Sequence, residues 1–499
     1  MKPSHFLCIA SVCVSTLHAR GVSGQAPQSA PVPLARFVEA TQSDDRIAAP
    51  ALQVIAAGWK NSYTSMFIDL ARMMRPPRQL QADTSIGTPR PTDDNDSDAG
   101  GRPSIDAPMT NDLGSPIRRR LLTFLGRQTG QRFGDDLPKW RSWMWTLPYD
   151  PHPDYAALKG LIYGQIDSRM REFFPPDVKA AIRLDEVDWG GVKVNGIPPL
   201  RLPNTVTARD ANYLGDSNVV FGIVVNGEAR AYPKRILAWH EMAIDRVGGV
   251  DLTIVYCTLC GTVIPYESAV GGRVMQFGTS GLLYQSNKLM FDEGTMSLWS
   301  TLEGTPVVGA LVGSGLTLRA RPAVTTTWKE WRTTHPTTTV LSLNTGHQRD
   351  YSEGAAYRDY FASDRLMFQV SRTDDRLPSK AEVVVFRTQP ADARNSRVPV
   401  AIDIQLLRRR PVYSFDVGTN HYTVITTKGG ANQVYRTTVD IPDQRSGEIL
   451  RDGNGGTWRV TDTALVSERA PSEQAPRVSA YRAFWFGWYA QFPDTVLLK

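Results

Sequence analysis

Four cysteines in 499 residues is a small number, and two of them, Cys8 and Cys13, fall in an apolar run over 6–17. Cys257 and Cys260 are the only two in the body of the chain. That scarcity excludes a scaffold stapled by several disulfides and a zinc site built from four thiolates. After the first 24 residues no stretch reaches 18 apolar residues, so a membrane-spanning helix is not expected. Gly-x-Ser-x-Gly and His-Glu-x-x-His do not occur, which removes the commonest serine-hydrolase and zinc-protease signatures. Charge of one sign is also lacking: 56 Lys and Arg stand against 50 Asp and Glu. This balance gives no electrostatic footprint for nucleic acid. Arg118-Arg119-Arg120 and Arg408-Arg409-Arg410 have no interleaved aromatics and read as solvated faces. The 41% hydrophobic content, in turn, supplies cores for two or three domains and excludes a wholly disordered chain.

The N-terminus reads as an export signal over 1–24. Lys2 precedes about twelve mostly apolar residues, too few to span a bilayer, and Val22-Ser23-Gly24 supplies small residues before Gln25. Cleavage there removes Lys2 and Arg20 and no acid, leaving 54 basic against 50 acidic residues. Ala10-Ser11-Val12 before Cys13 is a poor lipidation box. The expected location is exported, periplasmic or extracellular, without a membrane anchor.

Residues 31–180 read as a helical region. Leu158, Ile162, Ile166, Met170 and Phe173 recur at three- and four-residue spacing, predicting one helix stopped by Pro175-Pro176. Within this region 76–116 is rich in Pro, Asp, Gly and Ser and reads as a disordered acidic insertion. Trp140, Trp143 and Trp145 read as core. After residue 180 the period changes to that of strands. Segments 218–225 and 228–232 flank Asn226-Gly227, a strong hairpin signal; 235–247 reads as a short helix, and 251–257 and 262–268 as two further strands. The fold class is therefore α+β, a helical region followed by mainly antiparallel β structure.

That β structure is predicted to be duplicated. Trp328-x-x-Trp331-x4-Pro336-x-Thr338 recurs as Trp485-x-x-Trp488-x4-Pro493-x-Thr495. An offset of 170 aligns Ala231, Leu237, Val247, Gly248 and Thr253 with Ala401, Leu407, Val417, Gly418 and Thr423. Two modules follow, 181–376 and a degenerate copy over 377–499. In the second copy His240 becomes Arg410, Glu241 becomes Pro411, Cys257 becomes Thr427 and Cys260 becomes Gly430. Residues that only hold a fold tend to persist in both copies, so this set points to a task done by the first alone.

Cys257-Thr258-Leu259-Cys260-Gly261 stands at a predicted hairpin tip and admits three readings. A turn brings the two Cα atoms within disulfide range; the pair can cycle as a redox couple; or it forms a metal knuckle that needs two further ligands. Five histidines follow the leader, and His240 lies one strand upstream of the pair. With a thioether from Met290 or Met296, such a set favours copper or zinc. Gly261 in the third place excludes the Cys-x-x-Cys-His haem attachment motif. Glu241, Ser280, Asn287 and Asp292 are further candidates to line the site.

Several motifs occur in order: Asp185-Glu186, Gly190-Gly191, Gly196-Ile197-Pro198, Gly227-Glu228-Ala229, Trp239-His240-Glu241, Tyr256-Cys257-x-Leu259-Cys260-Gly261, Phe277-Gly278-x-Ser280-Gly281, Ser297-Leu298-Trp299 and Arg349-Asp350-Tyr351. Over roughly 182–499 the chain resembles the family called domain of unknown function 3179, whose members resemble exported or envelope proteins. Asn195 departs from that pattern, which commonly has Asp there. The resemblance implies no reaction. The expectation is an exported metal-binding or thiol-redox envelope protein with one site at Cys257, Cys260 and His240. The alternative is a non-catalytic module that binds a small ligand or an envelope protein and whose cysteines form a structural disulfide.

Overall fold

The computed structural model describes residues 30–73, 116–388 and 397–499, except 439, 442–444 and 447–448. The expected export signal, and all of the expected insertion but Pro116, lie outside the described residues. Pro116 opens a helix, Pro116–Thr129, where its missing N–H costs nothing. No helix among the described residues is long and apolar enough to cross a membrane.

Helices Leu34–Glu39, Asp45–Ala57, Thr64–Met73, Pro116–Thr129, Leu137–Thr146 and Tyr155–Gly164 build the N-terminal part. The single helix expected through Phe173 is broken. It ends at Gly164, and Asp167 caps a separate 3-10 turn, Ser168–Phe173, by accepting from the Arg169 N–H. The first basic run is solvated only in part: Arg119 is exposed, but Arg118 is buried and donates to the Asp135 carbonyl. Trp140 is buried, as expected, and meets Phe133 and Trp143 edge-on. Buried ion pairs fix this region to the β part. Arg141 and Arg72 hold Asp188 at 2.7 and 2.8 Å, while inside the helical part Lys159 holds Asp69 at 2.8 Å. Asp188 belongs to strand Val187–Trp189, which pairs antiparallel with strand Phe277–Tyr284.

The β part repeats its own topology. Strands Val219–Val225 and Glu228–Pro233 form a hairpin over Asn226 and Gly227, both at positive φ, as a two-residue primed turn requires. Helix Lys234–His240 follows, then strands Met242–Val247, Val250–Cys257 and Thr262–Glu267. The helix expected over 235–247 thus ends at His240, where Glu241 adopts the left-handed conformation and releases the chain into a strand. In the second half Glu382–Arg387, Pro399–Asp403, helix Ile404–Arg409, Val412–Val417, Asn420–Thr426 and Asn432–Thr437 come in the same order.

The tryptophan signatures complete both halves in the same way. Strand Val324–Thr327, helix Trp328–Thr334 and strand Thr339–Leu341 return to the first sheet, where Thr339–Leu341 pairs parallel with Glu228–Pro233. Tyr481–Phe484, Trp485–Tyr489 and Val496–Leu498 do the same for the second. The halves also exchange contacts reciprocally. Tyr481–Phe484 lies beside Thr262–Glu267, and Val324–Thr327 lies beside Asn432–Thr437. One apolar cluster accordingly joins Met242, Val255 and Trp299 to Val383, Trp485 and Trp488.

Candidate functional site

Antiparallel register brings Cys257 opposite Thr262, so residues 258–261 form the hairpin tip. Cys260 N–H donates to the Cys257 carbonyl at 3.2 Å, and Gly261 closes the turn at φ 65°. The tip does not reach solvent: Cys257 is 3% exposed and Cys260 0%. Both carry free thiols. Cys260 Sγ also lies 3.2 Å from the Ser286 carbonyl. Burial raises both thiols. At Cys257 this is outweighed by donation from the Cys260 thiol and the Lys288 backbone N–H, which leaves Cys257 below the ordinary thiol value. Cys260 is held well above it, by burial and by its bond to Cys257.

Glu241 faces this pair. Its Oε1 accepts from Thr258 Oγ1 and from Tyr357 Oη, each at 2.9 Å. Its Oε2 lies 3.3 Å from Lys288 Nζ, which also donates to the Glu241 carbonyl at 3.1 Å. Burial pushes the Lys288 ammonium down, with Glu241 opposing. Lys288 and Tyr357 were not among the sequence candidates. Lys288 lies in Asn287–Asp292, a strand buried at all six positions, where the run Leu289-Met290-Phe291 beside it signals burial on both faces. Nothing in the sequence separates Tyr357 from other tyrosines.

Strained backbone gathers here. Glu241, Gln285, Ser286 and Tyr357 all have positive φ although none is glycine. Each such residue costs on the order of 1 kcal/mol, and such residues concentrate where surrounding structure enforces a functional geometry. Gln285 and Ser286 form the buried tip of the next hairpin, which presses the Ser286 carbonyl onto Cys260. On the other side Gly487, from the second repeat, packs against Cys260: a Cβ there would stand 3.1 Å from its Sγ.

His240 is fully buried, but both ring nitrogens are engaged elsewhere. Nδ1 meets the Pro198 carbonyl at 2.9 Å and Nε2 the Tyr351 hydroxyl at 2.6 Å. The carbonyl fixes the proton on Nδ1, and the hydroxyl then donates to Nε2. Burial, helped by nearby His347 and Arg349, lowers His240 to about 4, so the ring is neutral. Among the described residues no three His, Cys, Asp or Glu side chains stand close enough to hold a metal ion together. The two thiols by themselves make half of a tetrahedral donor set.

The other candidates have packing and turn roles. Ser280 Oγ donates to the Leu289 carbonyl, and Met290 pairs across strands with Trp299. Asp292 caps a turn by accepting from Thr295 and from the Trp299 indole. Asn287 alone stays near the cysteines, donating to the Gly487 carbonyl at 2.8 Å. The structure thus brings Cys257, Cys260 and Glu241 together, with Lys288 and Tyr357, and engages His240 with other partners.

A small cavity of about 50 Å³ adjoins these groups. Glu241, Lys288 and Tyr357 form its polar wall, and Leu259, Met367 and Phe368 are among its apolar lining.

Comparison with curated proteins and with solved structures finds no match for either. A family profile described as protein of unknown function (DUF3179) matches residues 194–495, spanning both repeats and the whole cysteine site. The motif string and this match agree, and the chain belongs to the DUF3179 family.

Proposed function

We propose that this protein is an exported thiol-redox protein whose working group is the Cys257–Cys260 pair, cycling between dithiol and disulfide with two electrons and two protons. One observation carries the reading: two free thiols joined in one buried turn, with Cys257 the more acidic of the two and Cys260 held as thiol. An attacking sulfur and a second sulfur that waits protonated are the two roles a dithiol couple requires. The Glu241 charge beside Cys257 opposes a thiolate there, and its pairing with Lys288 tempers that opposition. The second repeat keeps the turn with Thr427, Gly430 and Pro411 where the first has Cys257, Cys260 and Glu241. The pair needs no further ligand for this chemistry, whereas copper or zinc would have to recruit donors beyond the two sulfurs.

The test is peptide mapping of the full chain after reduction, after mild oxidation and after re-reduction over hours. A Cys257–Cys260 disulfide that forms and disappears reversibly supports the reading. A pair that stays linked in the folded chain throughout re-reduction, and opens only when the chain is unfolded, returns it to a structural role. Stoichiometric copper or zinc that survives anaerobic purification, and is lost in Cys257→Ser, overturns it in favour of a metal site.

A further inference from the structure

Access to the pair limits what can react there. Thiol–disulfide exchange is an in-line displacement, so a substrate disulfide must lay one sulfur against Cys257 with its leaving sulfur pointing directly away. Cys257 is 3% exposed and Cys260 0%, which leaves no room for that approach by a peptide or glutathione disulfide. The cavity walled by Glu241, Lys288 and Tyr357 holds about 50 Å³, enough for a few water-sized molecules. Thr279 adds to its polar lining, and Met367 and Phe368 line its apolar side. Neither cysteine is part of the lining; Lys288, whose backbone N–H donates to Cys257, links the cavity to that sulfur.

On the strength of the dithiol reading, we propose that the oxidant of the Cys257–Cys260 pair is a small hydroperoxide, of which hydrogen peroxide is the simplest, admitted through this cavity. In the first step Cys257 Sγ, as thiolate, attacks one peroxide oxygen. An S–O bond forms, the O–O bond breaks, and the departing hydroxide takes a proton from the Lys288 ammonium to leave as water. Cys257 is then a sulfenic acid. In the second step the Cys260 thiol passes its proton to Lys288, and its sulfur attacks Cys257 Sγ. The S–S bond forms, the S–O bond breaks, and the second hydroxide leaves as water with that proton. The two sulfurs lose two electrons in all, and the peroxide is reduced to two waters. Lys288 ends neutral and regains its proton from solvent. Return to the dithiol takes a thiol reductant, which meets the same buried sulfurs and so waits for the site to open.

The experiment follows formation of the Cys257–Cys260 disulfide by quenched peptide mapping of the reduced full chain, with hydrogen peroxide or glutathione disulfide at equal concentration. The expected rate with peroxide exceeds that with glutathione disulfide by at least about 100-fold, since the larger reagent depends on local opening. Phe368→Ala, which removes part of the apolar wall, is expected to narrow that ratio, and Cys257→Ser to abolish oxidation of Cys260 by peroxide. Equal rates with both oxidants overturn the hydroperoxide assignment and leave the dithiol reading intact. A pair that neither oxidant links, in protein whose thiols are intact on unfolding, overturns both.

Discussion

In the first repeat the turn 257–261 closes with the Cys260 N–H on the Cys257 carbonyl, and in the second the turn 427–431 closes with the Gly430 N–H on the Thr427 carbonyl, at 3.2 and 3.1 Å. The next bond out is kept as well, from Tyr256 to Glu241 in one and from Thr426 to Pro411 in the other. Each tip meets the short helix of the opposite repeat. Gly487 lies against Cys260, and at the corresponding helix position Glu330 reaches the Gly429 N–H. The backbone plan therefore does not need sulfur, since Thr427 and Gly430 satisfy it. What the first repeat adds is a set of side chains that costs stability: two buried thiols, a buried Lys–Glu pair and strained residues at 241, 285, 286 and 357. A repeat that folds without this set argues that folding is not what retains it.

The sharpest way to break the comparison is to exchange the residues under the two tryptophan helices. Sheet register makes Gly222 the counterpart of Val385: each stands opposite the first residue of the returning strand, Val324 or Tyr481. A Cβ on Gly222 would lie 2.2 Å from the Trp331 ring, which occupies the space itself. Trp331 stacks on His335 at 4.0 Å and donates to Thr338, whereas its counterpart Trp488 packs on Phe492. Gly222→Val must expel the indole and is expected to cost about 4 kcal/mol or more, read as loss of a cooperative urea transition. Val385→Gly only opens a cavity in a strand and is expected to cost about 2–3 kcal/mol. Similar costs for both would mean that the two helices seat their tryptophans alike.

A second difference is titratable. His240 is buried and neutral at about 4, and its counterpart Arg410 is exposed. In the unfolded chain His240 returns to about 6.5, so between about 6.5 and 4 the unfolded state binds the extra proton. Stability from this group is fully present above about pH 6.5 and is lost as pH falls toward 4, by up to about 3 kcal/mol. His240→Gln cannot titrate. The urea-derived stability gap between wild type and variant is expected to shrink by about 2 kcal/mol or more from pH 7 to pH 4.5. A gap that stays constant would show that His240 takes up its proton over the same pH range in the folded and unfolded chain.

The repeat was legible in the sequence because its signals are local: Asn226-Gly227 demands a primed turn, and the paired tryptophans and the 170-residue offset preserve order. The long stripe from Leu158 to Phe173 misled, because an apolar periodicity runs on through Gly164 while Asp167 prefers to cap a new turn. At the site, Cys257, Cys260 and Glu241 were legible and their surroundings were not. Lys288 and Tyr357 reach Glu241 across 47 and 116 residues of chain, a juxtaposition that only the packed sheets create. His240 was drawn toward the cysteines by nearness in sequence. The left-handed turn at Glu241 reverses the chain and leaves the imidazole on Pro198 and Tyr351 instead.

The smallest expected effect lies at the contact between the repeats. Gly487 sits inside helix Trp485–Tyr489, at the position that Glu330 occupies in the other. Alanine there gains up to about 1 kcal/mol of helix propensity. Against this, its Cβ meets Cys260 Cβ and Sγ at 3.1 Å, a separation relieved by a shift of a few tenths of an ångström. The two effects oppose, and Gly487→Ala is expected to change stability by less than about 1 kcal/mol, measured by urea denaturation of the reduced protein. A loss of about 3 kcal/mol would instead mean that Cys260 is wedged between Gly487 and the Ser286 carbonyl with no freedom to move. Such a sulfur could not swing onto Cys257, so a physically small substitution at the repeat interface tests whether the pair is built to link.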